Sequence, residues 1–175
     1  MSQLTLMKPS ASLETAFLDY INDWHGHNEK VVPHAQDINP SVFQAKVDEW
    51  LNQEKGIGLQ EDEVATSTRW LVDDKYKIMG ACVIRHELVG SLVEVDGLVE
   101  FGVRPSERNQ GHATFMLSEA MTILKSHGVP RALVTCQDGD VITQRVCEKV
   151  GGQQGLPFTT ENGDVVRRFW IDLRD

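Results

Sequence analysis

The chain has 175 residues, of which 41% are hydrophobic and 25% charged, a composition that suits one globular domain with a real core. Its 17 Lys and Arg against 26 Asp and Glu give a formal net charge of −9, which argues against nucleic acid as a partner, since phosphate backbones need a basic face. No apolar run approaches the ~20 residues that span a bilayer, so no membrane partner is expected.

The opening Met1-Ser2-Gln3-Leu4-Thr5-Leu6-Met7-Lys8 lacks a basic segment followed by an apolar one, so no secretory signal is expected. Cys82, Cys136 and Cys147 are an odd count without a CxxC pair. They read as buried free thiols in a reducing cytoplasm, the expected location. The acidic balance mildly favours a cationic second substrate such as an amine.

Residues 3–8 suggest a first strand. Leu13, Phe17, Ile21 and Trp24 recur at helical spacing and predict a helix over roughly 12–25, closed by Gly26. A loop through Val31-Val32-Pro33-His34-Ala35-Gln36-Asp37 follows. Asn39-Pro40 is a capping side chain followed by a proline whose missing N–H costs nothing there. It opens a second helix, with Phe43, Val47, Trp50 and Leu51 on one face and Gly56 as its stop.

A hairpin is predicted from Ala65–Val72 and Lys77–Ile84 around Asp73-Asp74-Lys75. The next strand spans 98–104, and a helix at about 110–127 carries Ala113, Met116, Leu117, Ala120, Met121 and Leu124 on one stripe. Arg131–Cys136 reads as a buried strand and about 140–150 as a helix ending at Gly151-Gly152. Two last strands, near 153–158 and 164–173, flank a turn at Glu161-Asn162-Gly163-Asp164. The order β-α-α-β-β-β-α-β-α-β-β in one domain, residues 1–175, implies a mixed α/β (α+β) sheet. It is mostly antiparallel, with a central parallel pair from the strand–helix–strand step at 98–136 and helices on both faces.

The most informative segment is Arg104-Pro105-Ser106-Glu107-Arg108-Asn109-Gln110-Gly111-His112-Ala113-Thr114. It lies between the alternating run Leu98–Val103 and the long amphipathic helix. A tight glycine-containing turn there aims free backbone N–H groups and the positive end of a helix dipole at one point, which suits a phosphate or diphosphate. The segment lacks G-x-G-x-x-G and follows the fourth strand, which disfavours a nicotinamide Rossmann site. Trp24-His25-Gly26-His27 and His34 lack the Cys or carboxylate partners of a metal site, so a polar loop is the better reading.

With Arg108, Gly111 and Ala113 in the fixed places of an Arg/Gln-x-x-Gly-x-Gly/Ala signature, the chain resembles the GNAT-type N-acetyltransferases over nearly its whole length. The closer local likeness, on Ile84-Arg85-His86-Glu87-Leu88, Gly102–Arg108 and Glu148-Lys149-Val150-Gly151-Gly152, is to a bacterial subgroup of predicted acetyltransferases. The resemblance implies acetyl-CoA as substrate and no metal. It implies transfer to a primary amine of a small molecule or peptide by direct attack in a ternary complex, and it leaves a homodimer open.

In that resemblance the backbone N–H groups of Asn109, Gln110, Gly111, His112, Ala113 and Thr114 hold the diphosphate, and Arg108 adds charge-assisted contacts. The pantetheine arm pairs with the fourth strand through Phe101, Gly102 and Val103, where Gly102 permits a bulge. A backbone N–H near Val103 would polarise the thioester carbonyl.

For the general base, Glu100 on the fourth strand is the first candidate and His86 the second. An outward strand carboxylate and a solvent-facing histidine are the competing structural readings. The family's Asn and Tyr of the last helix are replaced by Asp140 and Cys147. Asp140 can cap the helix beside the cofactor but would repel a phosphate, and Cys147 suits the core better than proton donation. A non-catalytic acyl-CoA-binding sensor is therefore the competing function, and transfer of a longer acyl group a third.

Overall fold

The computed structural model describes residues 3–175; the first two residues of the expected domain lie outside the described residues. Strands β1 (Thr5–Met7), β2 (Thr66–Val72), β3 (Ile78–Arg85) and β4 (Val99–Val103) form an antiparallel sheet in that order. A second sheet has β8 (Val165–Asp172) at its centre, with β5 (Arg131–Gln137) on one side. On the other side lie β6 (Gln153–Gln154) and β7 (Phe158–Thr159). The expected single strand at 153–158 is split: Gly155 N–H still bonds Arg168 O in register at 2.8 Å, but Pro157 has no N–H to give a ladder and pairing resumes one residue out of step at Phe158↔Val166.

The first sheet is covered on both faces, and side-chain alternation explains how. One face meets α1 (Glu14–Gly26) and α2 (Phe43–Glu54), burying Phe17, Tyr20, Trp24, Trp50, Trp70 and Ile78. The other meets α3 (His112–Ser126): Cys82, Ile84, Val99 and Val103 join Met116, Leu117 and Leu124. That second core continues to Val134, Phe169 and Ile171 of the second sheet and to Cys147 of α4 (Val141–Lys149). Asn39 caps as expected, accepting from Ser41 N–H at 2.9 Å, though the first turn it opens, Pro40–Val42, is a 3-10 turn.

The central pair, β4 and β5, is joined by a single backbone bond, Leu98 N–H to Leu133 O at 2.8 Å. Among the described residues no ladder continues past it, so the sheet opens between the two strands beside the α3 N-terminus. The bulge expected at Gly102 is not there: β3 and β4 pair in continuous register from Gly80↔Val103 to Ile84↔Val99. The irregularity falls instead in the β2–β3 ladder, where Leu71↔Gly80 is followed by Val72↔Ile78 and Met79 of β3 is the extra residue. Gly102 answers another demand, because a Cβ on it would stand 2.2 Å from Val32 O. No helix among the described residues is long and apolar enough to cross a membrane.

Candidate active site

Three consecutive features after β4 build the site. Pro105–Glu107 forms a 3-10 turn, Asn109 takes a left-handed φ of 63°, and Gly111 caps α3 at φ 80°. Glycine carries the last conformation without steric penalty. The first helical bond of α3 is Phe115 N–H to Gly111 O at 3.0 Å. The N–H groups of Asn109, Gln110, Gly111, His112, Ala113 and Thr114 therefore have no acceptor among the described residues. Six unpaired donors at the positive end of a 15-residue helix are suited to an anion by backbone alone. A Cβ on Gly111 would meet nothing within 4 Å, so the space on that side of Gly111 is open.

The edge of β4 facing the gap is also unpaired. Arg85 N–H bonds Leu98 O at 2.8 Å and Arg104 N–H bonds Met79 O at 2.9 Å, both in the β3–β4 register. Alternation then assigns the even-numbered residues of β4 to β3 and turns the N–H and C=O of Phe101 and Val103 toward the gap. One of these groups is used: Arg108 Nε donates to Val103 O at 3.2 Å. What remains, Val103 N–H and both groups of Phe101, suits an extended amide-bearing chain.

Glu100 projects to the α1 face of β4 and is partly exposed (38%). Its carboxylate accepts from His34 N–H at 3.3 Å and pairs loosely with Arg85 Nη2 at 3.5 Å. The segment between α1 and α2 thus runs down β4 like a strap. Its Glu29 is tied to Arg108 beside Val103, its Val32 carbonyl covers Gly102, and its His34 amide meets Glu100.

The guanidinium of Arg108, expected on the diphosphate, instead makes a two-point pair with Glu29, Nη1 to Oε1 at 3.1 Å and Nη2 to Oε2 at 2.6 Å. It also lies 5.3 Å from the centroid of the Trp24 ring. This arginine holds the Glu29 carboxyl below the usual range, against the opposing effect of burial.

The structure does not bring His86 to this group. Adjacent strand residues face opposite ways, and His86 Nε2 lies 2.7 Å from Ser67 Oγ while its ring stacks on His127 at 3.9 Å. His127 closes α3 at the end opposite Gly111. Burial and the His127 charge lower the affinity of His86 for its proton. Asp140 caps α4, accepting from Thr143 N–H at 3.1 Å and Thr143 Oγ1 at 2.7 Å, so its carboxylate serves its own helix. Cys147 is fully buried, and burial, with Cys136 nearby, pushes its thiol up to about 12. That makes it a weaker acid than an ordinary thiol at ~8.5. His25 and His27 pair with Asp37 and Asp23, each at 3.3 Å, and no cluster of three metal-ligating side chains occurs among the described residues.

Sequence reasoning missed the tie that fixes α1 against this site. Arg104, 5% exposed, sends Nε to Asp23 Oδ2 at 2.8 Å and Nη1 to Asp19 Oδ2 at 2.9 Å. Ser106 Oγ donates to the same Asp23 oxygen at 2.7 Å. The i, i+4 spacing of Asp19 and Asp23 was the available signal, since it puts both carboxylates on one helical face.

Solved structures share this architecture. The ribosomal-protein-S5-alanine acetyltransferase from Vibrio fischeri is 14% identical with a TM-score of 0.73, over 99% of this chain and 94% of that one. The ribosomal L7/L12 α-N-protein acetyltransferase RimL, solved in complex with coenzyme A, is 12% identical with a TM-score of 0.70, over 97% and 93%. The microcin C7 self-immunity acetyltransferase MccE, in complex with acetyl-CoA and AMP, is 12% identical with a TM-score of 0.67, over 96% and 90%. At such identities the likeness establishes the fold alone. No protein of curated function matches the sequence. The model of the acetyltransferase (GNAT) family, however, matches residues 19–152, from α1 through the α3 turn to the end of α4. The chain belongs to the GNAT acetyltransferase family.

Proposed function

We propose that this protein moves the acetyl group of acetyl-CoA to a primary amine of a small molecule or peptide, by direct attack while both substrates are bound. The observation that carries this reading is the run of six unpaired N–H groups, Asn109 to Thr114, before open space at Gly111. These amides bind the diphosphate of the cofactor. Phe101 and Val103 pair with its arm, and Val103 N–H polarises the thioester carbonyl. Glu100, on the strand that carries both, accepts the proton of the attacking amine, directly or through a water. Cys147 holds its thiol proton too tightly to serve the departing thiolate, so the proton comes from water or from the amine itself.

That missing acid is also what favours the second reading, a non-catalytic acyl-CoA-binding protein. Thiol release with acetyl-CoA and a panel of a free-amine tripeptide amide, spermidine and lysine methyl ester separates the two. Turnover on at least one amine, reduced about a hundredfold in Glu100→Gln, is expected for the enzyme. Coenzyme A binding with no turnover on any amine favours the sensor.

A further inference from the structure

Two residues of α1 and its cap converge on one guanidinium outside the donor fan. Asn28 takes a left-handed φ of 55°, Asn28 N–H bonds His25 O at 3.0 Å, and Glu29 N–H bonds Trp24 O at 3.0 Å. This is a Schellman ending, and it fixes Glu29 relative to Trp24. The carboxylate of one and the ring of the other then grip Arg108. Arg108 in turn caps Val103 O, the last outward carbonyl of β4. A two-point carboxylate pair, a ring face and a carbonyl occupy the planar fork of the arginine.

Resting on the acetyl-transfer reading, we infer that Glu29 is a positioning residue that acts through Arg108. The motif arginine serves as the upper clasp of the strap over β4, and the diphosphate is left to the main-chain amides. The clasp has two consequences. It occupies Val103 O, so an arm coming from the donor fan is left Val103 N–H and the groups of Phe101 to pair with. It also anchors the segment whose His34 amide holds Glu100, so losing the clasp misplaces the base without touching the diphosphate site.

Calorimetry with coenzyme A and steady-state kinetics test this together. Arg108→Gln and Glu29→Gln are each expected to bind coenzyme A within about twofold of the unaltered chain, because the amides of Asn109 to Thr114 are left in place. Each is expected to lower kcat with the panel amine that supports turnover by about tenfold, the scale of a small misplacement. The double variant should lose no more than either single one, because the pair acts as a unit. Arg108→Gln weakening coenzyme A tenfold while Glu29→Gln leaves or tightens it overturns the inference, and so do fully additive losses in kcat. Should the unaltered chain turn over no amine, the acetyl-transfer reading fails instead. Hydrogen exchange at the His34 amide then still tests the clasp: faster exchange in both variants supports it, and unchanged exchange overturns it.

Discussion

His112 occupies the first position of α3 with 8% of its surface exposed, and both ring nitrogens are buried without a partner. An unpaired buried polar group costs about 1–3 kcal/mol, and burial pushes the proton affinity of this imidazole down. The residue contributes its backbone N–H to the donor fan, which any side chain would leave in place. His112→Leu is therefore expected to stabilise the fold by about 1 kcal/mol at neutral pH, with coenzyme A affinity unchanged. A neutral buried histidine also has a pH signature. Its folded-state pKa lies below the unfolded value near ~6.5, so stability is lost as pH falls below that value and the unfolded chain takes the proton first. Melting temperatures at pH 7.5 and pH 5.5 should converge in the leucine variant relative to the parent. An unaltered gap would assign the acid loss to His86 or to carboxylates.

Between elements, the decisive contact is the one joining α1 to the end of β4. Asp23 and Arg104 have side chains 9% and 5% exposed. Burial acts against the Asp23 charge, but hydrogen bonds from Arg104 and Ser106 outweigh it and hold the carboxyl down to about 2. Because this value lies below the unfolded one, the contribution to stability is complete above pH ~4. It is lost as pH falls toward 2. Arg104→Gln strands a buried carboxylate and is expected to cost about 3 kcal/mol, a loss that acid titration should reduce as Asp23 takes up a proton. Denaturant unfolding at pH 7 and pH 3 measures both. A cost that does not shrink at pH 3 would place the penalty in packing instead of charge.

At this scale the sequence was informative wherever a repeating pattern governed the outcome. Leu13, Phe17, Ile21 and Trp24 announced α1, and the alternation of residues 98–104 announced β4 with the glycine turn after it. The course of the strap over β4 had no such signal. It depends on contacts across wide gaps: Glu29 to Arg108, 79 positions apart, and His34 to Glu100, 66 apart. From sequence Gly102 reads as a bulge for the same reason: the Val32 carbonyl that excludes a side chain there belongs to a segment with no periodicity. The motif alone points Arg108 at the diphosphate, because a motif gives a residue its place but not the direction of its side chain.

Across the whole molecule, the charge of −9 makes attraction of an anionic cofactor a local matter. The answer lies in the opening of the sheet. With one bond between β4 and β5, the strand edge at Phe101 and Val103 and the amides before α3 border the same gap, so neutral main-chain donors replace a basic surface. Substituting Gly111 with aspartate sets a carboxylate against those donors, in open space and at a left-handed position that aspartate tolerates better than most residues. Calorimetric titration of Gly111→Asp with coenzyme A, beside the parent chain and with melting temperatures matched, is the measurement to make. Binding by the parent and its loss in a folded variant is the expected result, and equal affinity in both would contradict a diphosphate held by the amides around Gly111.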